Sequence, residues 1–85
     1  MGKYDKLFVT ILSGRSDHSI RFTELNHLLL AMGFNQRIKG DHHIFYKQDI
    51  DEILNLQPKG SQAKAYQVRQ VRNVILKYRL GEPNE

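Results

Sequence analysis

KGDHHIFYK, from Lys39 to Lys47, carries the residues of this chain best suited to chemistry. Imidazole is the side chain whose ordinary titration range lies near neutrality, so His42 or His43 can take up or release a proton without a cofactor. Lys39 and Lys47 bound this stretch, and Arg37 lies two residues before it on the same expected hairpin. Arg37 and Lys39 have equal parity along an extended segment and therefore share a face. Guanidinium and ammonium groups hold negative charge as it develops, which makes these residues candidate phosphate ligands. The competing reading is a strand-start histidine satisfied by the turn before it.

Adjacent residues of a strand point to opposite faces, so His42 and His43 do not form an acid–base pair within one chain. Alternation alone does not say which of them faces a substrate, because Ile44 and Phe45 are both apolar. The other two histidines read as ordinary: His27 opposes the Leu25–Leu28–Leu29 stripe, and His18 falls in a polar loop. Diverging strand histidines, with no His-x-His or His-x₃-His spacing, argue against a metal site, and no cofactor is expected. A second group of cations lies late in the chain. Arg69, Arg72 and Arg79 occupy one flank of a helical stripe at about 100° per residue. Lys59 and Lys64 precede that helix, whose N-terminus is a ready anion site. These residues read either as contacts along a phosphate backbone or as a solvated flank. Tyr66 either stacks on a base or packs locally.

The elements that must position these groups follow from periodicity. Tyr4, Leu7, Phe8 and Ile11 are spaced i, i+3, i+4, i+7, one stripe of a helix that Ser13-Gly14 ends. Leu25, Leu28, Leu29 and Met32 repeat the spacing, with Thr23 as the expected cap and Gly33 as the stop. Leu30 falls off that stripe and is expected to be covered by the first helix or by a partner. FNQRIK, HHIFYK and EILNLQ are short, partly alternating segments that read as strands. Lys39-Gly40-Asp41 and Gln48-Asp49-Ile50-Asp51 separate them with turn compositions. Pro58-Lys59-Gly60-Ser61 reads as a loop. Val68, Val71, Ile75 and Tyr78, with Val74 alongside, predict a last helix from about Ala65 to Arg79. The expected class is α+β: helix, helix, a three-stranded antiparallel meander, helix, in a single domain over 1–85. Residues 1–14 form the additional N-terminal helix and 81–85 a frayed tail.

Composition narrows the function. With 85 residues, the chain has no room for a cleft between two lobes. It contains no cysteine, which excludes disulfides, thiolate metal sites and cysteine nucleophiles. Thirteen Lys and Arg against nine Asp and Glu leave a formal net charge of +4, a sign that favours polyanions such as nucleic acid. No apolar run approaches the roughly 20 residues of a membrane span. The start, MGKYDKLF, has no signal-peptide core, so the expected location is cytoplasmic.

FTELNHLLLAMGF, RIKGDHHIF, EILNLQPKG and AKAYQVRQVRNVILKY, in that order and spacing, resemble the HicA family of toxins from bacterial toxin–antitoxin systems, over roughly residues 20–80. The resemblance implies a double-stranded-RNA-binding-domain-like fold, α-β-β-β-α, here with an extra N-terminal helix. It implies a ribonuclease that cleaves mRNA and is neutralised by a HicB-type antitoxin, which is expected to cover the site. It also selects His42 over His43. In the family's Gly-Ser-His motif, Gly40 matches the glycine and His42 the catalytic histidine, while Asp41 replaces the serine. That aspartate brings a negative charge to the histidine and repels a phosphate at close range. Ala65 stands where relatives often carry proline, a mild change since alanine is a good helix former. RNA carries its own nucleophile, the 2′-hydroxyl. A histidine would remove that proton or protonate the leaving oxygen, and Arg37, Lys39, Lys47, Lys64, Arg69 and Arg72 are the expected RNA contacts.

Overall fold

Helical periodicity in the first third of the chain closes twice on glycine. Gly14 (φ 72°) and Gly33 (φ 95°) take the left-handed conformation that side-chain-bearing residues avoid. In the computed structural model, which describes residues 4–81, these stops end α1 (Asp5–Ser13) and the turn that follows α2 (Phe22–Ala31). A single 3₁₀ turn, Asp17–Ser19, lies between them. The chain continues as β1 (Asn35–Lys39), β2 (His42–Tyr46) and β3 (Leu54–Leu56), then β4 (Pro58–Lys59), β5 (Gln62–Ala63) and α3 (Ala65–Tyr78). The protein is a small α+β structure with three helices and a three-stranded antiparallel sheet in the order β1-β2-β3. Apart from Gly81, the tail expected over 81–85 lies outside the described residues, as do the first three positions of the N-terminal segment.

Alternation in the strands sets the inner face of the sheet. Phe45, Leu54 and Leu56 are buried with Leu25, Leu28 and Leu29 of α2 and Val68, Val71, Val74 and Ile75 of α3. Each such side chain contributes roughly 1.5–3 kcal/mol when fully withdrawn from water. The β1–β2 connection is the two-residue turn Gly40-Asp41, joining the paired Lys39 and His42. Gly40 has φ 62°, the sign a type II′ hairpin turn needs at its first central position.

Four local expectations differ from the structure. Thr23 does not cap α2: the N-cap is Arg21, with no side-chain cap hydrogen bond. Entry into the helix is fixed instead by the Phe22 N–H donating to the Ser61 carbonyl at 3.0 Å and by burial of the Phe22 ring. Leu30 is 41 % exposed, so α1 does not cover it. Pro58–Ser61 is not a plain loop, because Pro58 pairs with Ala63 and Lys59 with Gln62 in a short antiparallel hairpin. The fourth concerns Arg72, one of the expected RNA contacts. Its guanidinium donates to both Asp17 carboxylate oxygens, at 2.9 and 3.1 Å, and to the Ile11 carbonyl at 3.1 Å. The pair is nearly withdrawn from solvent and fastens α1 and the 3₁₀ turn to α3, so the charge of Arg72 is spent inside the fold.

The long β2–β3 connection is pinned to the end of α3. Tyr78 donates its hydroxyl to Glu52 at 2.6 Å and accepts the Asp51 N–H at 3.2 Å, while the Lys77 ammonium reaches Glu52 at 2.8 Å. The Lys77 ammonium first, and then the Tyr78 hydroxyl, hold the Glu52 carboxyl at about 2, below its usual 4.5.

Candidate functional site

Pairing in the sheet decides which side chains meet on its outer face. Lys39 is the cross-strand partner of His42, and Arg37, Ile44 and Asn55 form one row across the three strands. Residues directly opposite one another point to the same side, so Arg37, Lys39, His42 and Asn55 share the face that the helices leave open. His43 has the other parity. Its ring meets Phe22 edge-on, with centroids 4.9 Å apart, and its Nδ1 accepts a hydrogen bond from the Gln36 side-chain amide at 2.9 Å. The Asn26 amide lies 3.5 Å from the same nitrogen. His43 is thus a packing residue between α2 and the sheet.

Asn55 holds His42 from below. Its Oδ1 lies 3.1 Å from His42 Nδ1, and an amide oxygen only accepts, so Nδ1 carries the proton in this bond. The lone pair of the neutral ring is therefore on Nε2, on the side of Asp41. Asn55 is itself held through α3. Gln67, buried on that helix, donates to the Asn55 carbonyl at 3.2 Å and accepts the Gln57 N–H at 3.1 Å. One side chain thus does for the edge of β3 what a neighbouring strand would do. Next to His42, Asp41 brings an oxygen to 3.9 Å from Nε2 and accepts from the Gln57 amide at 3.2 Å through its other oxygen. Gln57 in turn accepts from the Lys64 ammonium at 3.4 Å. A polar chain, Asp41–Gln57–Lys64, connects the hairpin turn to the start of α3.

Two hollows open along this surface. The smaller, about 270 Å³, is lined by His42, Ile53, Asn55, Gln57, Tyr66, Gln67 and Gln70. The larger, about 790 Å³, takes in His18, Lys59, Gln62, Lys64, Tyr66 and Arg69. Among the described residues, no acidic one lines either hollow. Of the cations singled out in the sequence, Lys39 and Arg37 share the face of His42, Lys64 is joined to it through Gln57, and Arg69 lines the neighbouring groove. Lys47 is elsewhere. It follows the opposite end of β2, roughly 17 Å along the strand at about 3.4 Å per residue, with its ammonium against Gly33. His18, His42 and His43 occupy the groove, the outer face and the inner face, so they do not converge. Asn55, Gln57 and Gln67 were missed by the sequence reading, although Asn55 and Gln57 alternate with the buried Leu54 and Leu56 and so had to face outward.

Fold and site together define a small α+β protein with an outward-facing, tethered histidine beside a basic groove. No helix among the described residues is long and apolar enough to cross a membrane. Compared with protein-family models, curated proteins and solved structures, the chain matches none.

Proposed function

We propose that this protein is a metal-independent ribonuclease of the HicA type, acting on mRNA in the cytoplasm with His42 as general acid or base. The observation that carries this reading is the His42–Asn55 hydrogen bond. It fixes the ring by one nitrogen and leaves Nε2, with Asp41 3.9 Å away, on the open face that carries Lys39 and Arg37. The order α2, β1, β2, β3, α3, with the short β4–β5 hairpin inserted before α3 and α1 as the extra helix, supports the double-stranded-RNA-binding-like fold that the family resemblance implies. In this reading Nε2 removes the proton of a 2′-hydroxyl, the oxygen attacks the adjacent phosphorus to form a 2′,3′-cyclic phosphate, and the bond from phosphorus to the 5′-oxygen breaks as that oxygen takes a proton from solvent water. Lys39 and Arg37 hold the phosphate oxygens as negative charge builds on them. Asp41 faces the proton that Nε2 would take up, an exposed pairing of small energetic weight.

That same carboxylate supports a second reading, an RNA-binding module of this fold that does not cleave. A phosphate approaching Nε2 meets the negative charge of Asp41, 3.9 Å from that nitrogen. Incubating the purified protein with a long RNA in the presence of EDTA separates the two. Cleavage that persists with EDTA and disappears in a folded His42→Ala variant supports the ribonuclease. His42→Ala cutting as fast as the parent protein sinks the role of His42. Binding without cleavage at any concentration favours the module.

The partner in this proposal is a HicB-type antitoxin that covers the His42 face and supplies acidic groups to the cations around it. A tight complex that leaves His42 fully accessible counts against neutralisation by blocking.

A further inference from the structure

Tyr66 lines both hollows, the one containing His42 and the one containing Lys59, Lys64 and Arg69. The residue is 50 % exposed and lies outside the hydrophobic core cluster. Among the described residues it makes no ring contact or side-chain hydrogen bond, so the fold does not account for its place. An aromatic ring left half in water between two polar hollows offers a flat apolar face to a ligand. The larger hollow adds cations with nothing opposing them. Neither Lys59 nor Arg69 is in an ion pair among the described residues, and no carboxylate lines the groove. Lys64 links the two hollows, since it lines the groove and its ammonium meets Gln57, a wall of the His42 hollow.

We propose that this continuous surface is a subsite for single-stranded RNA, with one unpaired base stacked on Tyr66 and the flanking phosphates held by Lys59, Lys64 and Arg69. The inference rests on the ribonuclease reading and adds the substrate class to it. Stacking on a tyrosine requires a base whose face is free, and in a duplex both faces are taken by neighbouring pairs. Double-stranded RNA is gripped through sugars and phosphates across its shallow groove, a contact that makes no use of an aromatic ring. A fold resembling the double-stranded-RNA-binding domain would thus serve here to hold an unpaired strand. The strand would pass His42, place a base on Tyr66 and continue into the basic groove. Alternating a stacking platform with cations is how sequence-tolerant single-strand binders work.

The test uses the whole protein and a short 2′-O-methyl RNA, which lacks the nucleophile and cannot be cut by 2′-hydroxyl attack. Affinity is read by fluorescence anisotropy for the single strand and for the duplex of the same sequence. Tyr66→Phe should bind like the parent protein, and Tyr66→Leu should bind roughly 5- to 150-fold more weakly, the range for loss of one stacked base. The duplex should bind more weakly than the single strand. Lys59→Ala combined with Arg69→Ala alters only exposed side chains and should also weaken binding, which keeps the test decisive if Tyr66→Leu misfolds. The proposal is overturned if Tyr66→Leu binds within about twofold of the parent, if the duplex binds as tightly as the single strand, or if no RNA binds. Unmodified RNA in a parallel tube separates this result from the ribonuclease reading. Binding that depends on Tyr66 without any cleavage upholds the subsite and removes the enzyme. Cleavage with binding indifferent to Tyr66 removes the subsite alone.

Discussion

A histidine acts as a base only if its free nitrogen is held toward the proton it takes, and in the proposed ribonuclease that task falls at His42 to one amide. Asn55→Ala removes the acceptor for Nδ1 and releases the ring to rotate. The expected outcome is a fall in kcat of about 10- to 100-fold with little change in KM, because positioning is lost while the phosphate ligands remain. A matching rise in KM with kcat unchanged would instead mean that Asn55 touches the RNA. Asp41→Asn keeps the acceptor for Gln57 and removes the charge. For a phosphate held within about 4 Å of it at this exposed site, that charge is worth about 1 kcal/mol, so KM should fall by about fivefold. Failure of KM to move would show that the carboxylate does not face the substrate. His42 was legible in the sequence as a residue with cations close by in the chain. Its partner was not, since Asn55 comes from another strand, diagonal to His42, and only the strand register brings the two together. Arg72 misled for the same reason. Its helical position was right, but Asp17, the residue that consumes its charge, lies 55 positions earlier.

Helix α3 serves two purposes at element scale. Its apolar stripe was read correctly from Val68, Val71, Val74 and Ile75, and the core holds them. Gln67 was overlooked because a polar residue in a helix reads as solvated, yet it is buried and satisfies the edge of β3. Gln67→Leu strands a carbonyl and an N–H and should cost about 1–3 kcal/mol for each group left unpaired. A Tm equal to the parent's would mean that water replaces the amide. Arg72→Met leaves Asp17 buried without its partner and should lower stability by about 3–5 kcal/mol, measured by denaturant unfolding. RNA affinity of the folded variant should stay unchanged, since the guanidinium faces the protein interior. The far end of α3 brings in pH. Glu52 is held at about 2 in the folded protein against an ordinary 4.5, so its clamp on Lys77 and Tyr78 stabilises fully above about pH 4.5. That contribution is lost as pH falls from there toward 2. The Tm difference between the parent and Glu52→Gln should therefore shrink over this window, and a constant difference would remove Glu52 from the acid response.

At the scale of the whole molecule, the sequence supplied an excess of positive charge and the fold distributes it unevenly. Element order was readable because helices and strands differ in period and glycines mark the stops. The distribution was not, because nearness in sequence is a poor guide to nearness across a sheet. Lys47 shares a hairpin with His42 but lies past the other end of the strand, whereas Lys59 and Arg69, distant in sequence, line one groove. A net charge of +4 would attract RNA wherever cations were placed. The arrangement makes a sharper claim, that particular cations release counterions on binding and others do not. Each phosphate contact on a single strand contributes about 0.7 to the slope of log K against log salt. Replacing both Lys59 and Arg69 by alanine should therefore flatten that slope by about 1.4, two contacts at about 0.7 each. Lys47→Ala should leave it unchanged, even though it removes the same charge as either groove substitution alone. The comparison is made by anisotropy titrations of 2′-O-methyl RNA over a range of salt concentrations. If Lys47→Ala flattens the slope as much as Lys59→Ala does, RNA is responding to net charge alone, and the groove is not where the strand lies.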